Sequence, residues 1–268
     1  MPAVRSDDAV DSAAARARRP SAARIVLHAR PVAGGQTGGM AQTSVTSRAT
    51  LLALEPSRAA GELGLLMAWS PLLSRSPRGD GHTVLVMPGL GASDVSTRPL
   101  RRFLKRLGYD VHGWGLGRNQ GPTARMLDGV GARFLDLHGR RGEGVSLVGW
   151  SMGGIFARRL ARLNPDAVRR VITLGSPFRM LSDMPSSSLE MPTTSVYSRT
   201  DGIAPWRSCF DASGPNHEAV EVVGSHCGLG HHPAVLHLVA DRLAQDPSQW
   251  TPFTPRGLWK PWFPAVDV

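Results

Sequence analysis

Lysine is almost missing from this chain: it stands only at Lys105 and Lys260, so nearly all of the 31 basic residues are arginines. Against 21 acidic residues they leave a formal net charge of +10. A chain this basic can bind polyanions. Here the arginines are scattered and do not alternate with aromatics along a stripe, which argues against nucleic acid as a partner. Cysteine is scarce as well. Cys209 and Cys227 have no metal-ligand spacing and no C-x-x-C occurs, so neither a cysteine metal site nor a dithiol redox centre is expected, and no cofactor is called for. Aromatic residues make up only 6%, although seven of them are tryptophans. No apolar run approaches the roughly 20 residues that span a bilayer; the longest candidate, Leu65 to Leu73, is broken by Ser70 and Pro71. The first residues carry no apolar core of the kind a secretory signal has, so a cytoplasmic location is the expectation.

What is present is enough apolar residue, 41%, to bury a sizeable core in one or at most two domains over 268 residues. Residues 1–45, rich in Ala, Arg, Ser and Gly without sustained periodicity, bury too little to offset ordering entropy and are expected to be a disordered extension. From about Leu51 the pattern becomes globular. A helix is expected over Leu51 to Trp69, with Pro56 near its start or as a break. Then come a buried strand (Thr83 to Met87), a Gly-rich loop "MPGLGAS", and a helix capped by Ser96 or Thr97 and stopped by Gly108. The strand "YDVHGW" follows, with a helix from Thr123 to His138. Further strands are "GVSLVGW", "AVRRVITLGSP", "TTSVYSRTD" and "AVEVVGSH", and helices run over Met152 to Leu163 and "HPAVLHLVADRLAQ". Strands that alternate with helices and read as continuous apolar runs predict an α/β fold, with a mostly parallel central sheet and helices on both faces. Right-handed crossovers then bring every strand's C-terminal end to one edge, where such folds carry their functional groups.

Along that edge three reactive residues recur. Ser151 follows the strand ending at Trp150, inside Gly149-Trp150-Ser151-Met152-Gly153, a G-x-S-x-G pattern. With 30 glycines and 24 serines, such a pattern arises by chance roughly 0.3 times in a chain of this length, so taken alone it fits a helix-capping serine equally well. Asp201 comes just after the strand through Tyr197, and His226 just after the strand through Val223. An acid and a histidine following in that order supply the context the motif lacks. Asp211 is the alternative acid; His112, His231 and His232 are the alternative histidines.

With these residues the region from about Thr83 to Leu243 resembles the α/β-hydrolases, "GWSMGG" standing as their nucleophile elbow. The resemblance implies a catalytic domain over 46–249 without a large cap, Ser151 as nucleophile, His226 as general base and Asp201 as the residue orienting the imidazole. It also implies an oxyanion hole from the backbone N–H of Met152 and of Leu90, in the loop after the first core strand. Pro88 stands there where many lipases have histidine. Gly149 and Gly153 leave room for strand and helix to cross.

The stretch from Pro177 to Pro192 is too short for a multi-helix cap and reads as a flap. Trp150, Phe178, Met180 and Leu229 are candidates for an apolar acyl pocket, or are core. Arg118 and Asn119 either contact a polar head group or shape a turn. The loops bearing Asp201 and His226 must converge, so a Cys209–Cys227 disulfide is geometrically open; it would favour an extracytoplasmic compartment. The Trp/Pro-rich tail 250–268 either packs on its own domain or makes transient contact with a lipid interface. The function these readings favour is hydrolysis of a small-molecule or lipid carboxylic ester. The alternatives are thioester hydrolysis or acyl transfer by the same triad, and a non-catalytic binding protein of the same fold.

Overall fold

The computed structural model describes residues 45–181, 188–210 and 214–264. They lie in the unit that runs from Gln42 onward. The tail expected over residues 1–45 falls, but for its last residue, outside the described residues.

Six parallel strands form one sheet in the order β2-β1-β3-β4-β5-β6. They are β1 (Thr83–Met87), β2 (Asp110–Gly113), β3 (Val145–Trp150), β4 (Val168–Leu174), β5 (Thr193–Tyr197) and β6 (His217–Glu221). Among the described residues five α-helices accompany them: α1 (Val45–Leu73), α2 (Arg98–Arg106), α3 (Ala124–Arg141), α4 (Met152–Leu163) and α5 (Pro233–Ala244). β1 reads TVLVM and β5 reads TTSVY, each buried along its whole length, as strands covered on both faces must be.

Alternation along each strand divides its side chains between two cores. Val84, Val86, Val148, Ile172 and Leu174 meet α1, α2 and α5 through Leu73, Leu104, Leu236 and Val239. Leu85, Met87, Leu147 and Val171 meet α3 and α4 through Met126, Phe134, Phe156 and Leu160. Each such side chain contributes roughly 1.5–3 kcal/mol by leaving water.

Local signals decide most boundaries. Thr123 caps α3, its hydroxyl accepting from Met126 N at 3.3 Å, and Gly142 ends the helix in the left-handed region at φ 68°. Thr97 stands at the start of α2 but makes no capping bond; its hydroxyl donates to Asp94 O instead. The last strand is shorter than expected: β6 ends at Glu221, and Val222 and Val223 already belong to the loop leading to His226. The first helix is longer. α1 continues through both Pro56 and Pro71. Pro56 is exposed, so its missing N–H leaves a gap in the ladder on the solvent side, where water can satisfy the freed carbonyl.

As far as residue 264, the C-terminal segment lies on the domain. A 3-10 turn over Gly257–Trp262 brings Trp259 and Trp262 against Trp69 of α1, with ring centroids 5.2 and 5.9 Å apart. Val223 N donates to Trp262 O at 3.0 Å. Trp259 and Phe263 are buried, so these aromatics are spent on packing. No helix among the described residues is long and apolar enough to cross a membrane.

Candidate active site

Ser151 sits where β3 turns into α4. Its backbone is at φ 53°, ψ −122°, and among the described residues it is the one non-glycine residue with positive φ. That conformation costs an L-residue of order 1–3 kcal/mol and persists only where the surroundings impose it. Here the imposition is close crossing. A Cβ on Gly149 would come within 2.3 Å of Gly154 Cα, and one on Gly153 within 2.2 Å of Met87 O. Strand and helix meet backbone to backbone, and the single residue between them is forced into this conformation. Although it occupies the N-cap position, Ser151 makes no side-chain capping bond, so capping does not explain the serine.

The loop after β1 faces it. A Cβ on Gly89 would lie 3.2 Å from Ser151 Cβ and 3.8 Å from Ser151 Oγ. The backbone N–H groups of Leu90 and Met152 have no backbone acceptor among the described residues. This loop is held by Asn119, which is buried. Asn119 Nδ2 donates to Pro88 O at 2.8 Å, its carbonyl accepts from Gly91 N at 2.8 Å, and its own N–H donates to Ala92 O at 2.8 Å. Arg118 Nε donates to Gly91 O at 2.7 Å. Both residues therefore brace the loop after β1 from the loop after β2, the structural one of their two expected roles.

Asp201 and His226 meet in the loops after β5 and β6. His226 Nδ1–H donates to Asp201 Oδ2 at 2.6 Å; a carboxylate only accepts, which leaves Nε2 as the free ring nitrogen. The other carboxylate oxygen of Asp201 accepts from Ile203 N (2.8 Å) and Ala204 N (2.7 Å), which fixes its plane. Both residues are buried, at 7% and 4% exposure. Trp150, next to the serine, ties that turn to the histidine loop through Nε1–H to His226 O at 3.0 Å. The competing histidines are engaged elsewhere: His112 with Asp110, His231 with Ala59 O, and His232 as the cap of α5. Asp211 lies outside the described residues.

Of the candidate pocket residues, Trp150 is half-buried beside His226 and Met180 is exposed. Phe178 and Leu229 are buried, the first beneath the Arg158 guanidinium at 3.9 Å and the second in the core beside Gly175. Part of the flap, 182–187, lies outside the described residues.

The disulfide that the converging loops left open is not formed: Cys209 and Cys227 are both free. Cys209 is packed among Tyr197, Ala204 and Phe210. Burial, then the charge of Asp201, pushes its thiol up to about 12. Burial and the Glu55 carboxylate push Cys227 up to about 11. The two loops are joined by another device that the sequence did not announce: buried Glu55 of α1 accepts hydrogen bonds from both, and buried Glu62 accepts from the His226 loop. Their spacing on one helix face was the available signal.

Chemically, the arrangement is a serine in a strained turn against the loop after β1, with an imidazole oriented by a carboxylate in the loops after β5 and β6. A profile of the alpha/beta hydrolase fold matches residues 63–201, more than half of the chain, and the chain belongs to that family. Over 156 residues it is 33% identical to polyketide synthase ThaQ of Burkholderia thailandensis, which covers 55% of this chain but 7% of the synthase. Among solved structures, Aspergillus fumigatus lipase B superposes with a TM-score of 0.51 at 16% identity, over 63% of this chain and 55% of that one. A CIB-like hydrolase of Thermoplasma acidophilum gives 0.47 at 17% identity, over 61% and 86%. At such identities the structural likeness is one of fold.

Proposed function

We propose that the protein is a serine hydrolase cleaving carboxylic esters. The observation that carries this reading is the buried His226–Asp201 pair, 2.6 Å apart, at the same sheet edge as a strained serine whose hydroxyl caps nothing. In this mechanism Ser151 Oγ attacks the ester carbonyl while His226 Nε2 takes its proton. Asp201 holds the ring by Nδ1 and stabilises the imidazolium that forms. The amides of Leu90 and Met152 receive the developing oxyanion. The C–O bond then breaks, the imidazolium returns its proton to the leaving alcohol, and an acyl group remains on Ser151. Water, deprotonated by the same imidazole, releases the acid and restores the hydroxyl. Exposed Leu90, Met180 and Ile203 stand in the loops after β1, β4 and β5; an apolar rim of this kind suits an acyl chain. No bound cofactor is needed for these steps.

A second reading uses the same residues on a thioester, or passes the acyl group to an acceptor other than water. The 33% identity to a stretch of a polyketide synthase favours it. A fluorophosphonate probe tests the common chemistry: the wild-type chain is expected to be labelled, and Ser151→Ala and His226→Ala not. Absence of labelling in folded wild-type protein refutes both readings. Rates on matched p-nitrophenyl esters and acyl thioesters then choose between them. A preference for the oxygen ester at every chain length supports the first, and a thioester preference of tenfold or more supports the second.

A further inference from the structure

Two carboxylates lie where carboxylates are expensive. Glu55 and Glu62, on α1, are 2% and 8% exposed. They are seven residues apart, two helical turns, and so share one face. Burying an anion costs several kcal/mol unless hydrogen bonds satisfy it. Among the described residues every such hydrogen bond comes from the loops that carry Asp201 and His226, and Arg58 of the same helix pairs with Glu55 Oε1 at 3.8 Å. Glu55 Oε1 accepts from Gly202 N at 2.9 Å and from His226 N at 3.0 Å, and Oε2 accepts from Cys227 N at 2.9 Å. Glu62 Oε1 accepts from Ser225 N at 2.7 Å, and its Oε2 from Ser225 Oγ at 2.5 Å. Arg58, between the two, donates to Thr200 O at 2.7 Å and to Thr200 Oγ1 at 2.9 Å.

Helix and loops pack closely. A Cβ on Gly202 would come within 2.6 Å of Leu51 backbone atoms, and one on Gly228 within 1.3 Å of Glu62 Oε2. One atom, Glu55 Oε1, is thus shared by the residue after Asp201 and by His226 itself. The two loops approach each other from neighbouring strands, and no disulfide joins them. Glu55 also stays anionic in this setting. Burial pushes its carboxyl up, but the N–H groups of Cys227, Gly202 and His226, together with the imidazole's charge, outweigh burial and hold it below the usual carboxylate range.

We propose that Glu55 is the positioning residue of the site. Its carboxylate fixes the loop bearing Asp201 to the loop bearing His226, and so sets where the imidazole stands relative to Ser151. Glu62 and Arg58 anchor the same two loops further out. This proposal rests on the Ser151–His226–Asp201 reading above. Glu55 makes no contact with the reacting atoms; it acts through backbone geometry, where a misplacement of about 1 Å costs on the order of 100-fold in rate.

The test is steady-state turnover of a p-nitrophenyl ester by the full chain. Glu55→Gln keeps the volume but sets an NH2 group against the Cys227 N–H, so two donors collide. It is expected to lower kcat about 10- to 100-fold with KM changed less than about twofold. The control is a double-mutant cycle. With His226→Ala already in place there is no imidazole to position, and Glu55→Gln is expected to lower the residual rate less than about twofold, although it lowers Tm by the same amount in both backgrounds. Glu62→Gln, whose partner is Ser225, is expected to lower Tm with a smaller effect on kcat. Should Glu55→Gln fail to fold, Glu55→Asp keeps the charge with one methylene less and is read the same way.

A folded Glu55 variant with wild-type kcat overturns the proposal. So does an equal loss of rate with and without His226, which is what a merely structural role gives. If instead His226→Ala leaves turnover and labelling at wild-type level, the triad reading itself fails, and that outcome is separate from anything Glu55 does.

Discussion

Ser151 holds a conformation that glycine adopts without penalty, and this sets up a measurable inversion. At ordinary positions a glycine is less stable than an alanine by roughly 0.5–1 kcal/mol. At φ 53° the strain of a Cβ, of order 1–3 kcal/mol, outweighs that difference. Ser151→Gly is therefore expected to be more stable than Ser151→Ala by about 1 kcal/mol, or about 2–4 °C in Tm for a chain of this size. Both variants are expected to be unreactive to the fluorophosphonate. Thermal melts of the two check this; the usual order, with alanine higher, would show that the turn is not strained. The cysteines offer a second residue-scale expectation. With thiols pushed up to about 12 and about 11 by burial and nearby carboxylates, the folded chain is expected to react slowly with Ellman's reagent at pH 8. Two free thiols are expected on unfolding, without reductant. One mole or less of titratable thiol after unfolding would contradict the free pair.

Among elements, the loop after β1 and the C-terminal segment are held by residues distant in sequence. Asn119 reaches back 31 positions to Pro88 O, and Asn119→Ala removes that brace from the loop bearing Leu90. If Leu90 N–H receives the oxyanion, kcat is expected to fall about tenfold or more, less than the 100- to 1,000-fold typical for outright loss of a donor, with KM little changed. An unchanged kcat would mean that the loop keeps its place without Asn119. The tail is tied on by its aromatics and by polar bonds. Arg242 Nη1 donates to Thr251 O at 2.6 Å, and Glu218 Oε2 accepts from Phe253 N at 2.6 Å. Ending the chain at Gln249 would uncover Trp69, half-buried beside Trp259 and Trp262, and the apolar face of α5. A lower Tm by circular dichroism and loss of ester turnover on soluble substrates are expected together. Full stability with loss only on emulsified substrate would point instead to a tail that serves a lipid interface.

For the molecule as a whole, the titratable groups make acid the destabilising direction. His232 is buried, and burial with His231 beside it pushes its ring down to about 4. Burial likewise holds His82 and His237 below the ordinary histidine range. Below pH 6.5 the unfolded chain takes up protons that the folded rings refuse, so stability falls as pH drops through that window. Glu55, with its carboxyl held low, adds a contribution that is present above the ordinary carboxylate range and is lost as pH falls through its folded value. Tm is thus expected to decline from pH 7 to pH 5. His232→Asn, which retains an N-cap side chain for α5 without a titratable ring, should flatten the decline; an unaltered slope would assign it to other groups.

The local levels of this architecture were legible in the sequence. β1 and α4 follow from an unbroken apolar run and an amphipathic pattern. The placement of Ser151, Asp201 and His226 just past β3, β5 and β6 was legible, because parallel crossovers put such positions on one edge whatever the packing details. The opening helix was legible only in part, because its passage through Pro56 depends on which side of the helix meets solvent. Pairings across the chain lay outside what sequence determines. Glu55 binds backbone N–H groups 147 to 172 positions away, and backbone donors carry no residue code, so no motif marks them. The same holds for the cysteines: converging loops made a disulfide geometrically open, yet Cys209 turns into an aromatic cluster and a carboxylate joins the loops instead. Sequence determined which groups reach the sheet edge, because right-handed crossovers between parallel strands put every strand's C-terminal end on one side. Only the tertiary structure decided what holds those groups in register, because that depends on which buried donors find which buried acceptors once the chain has closed.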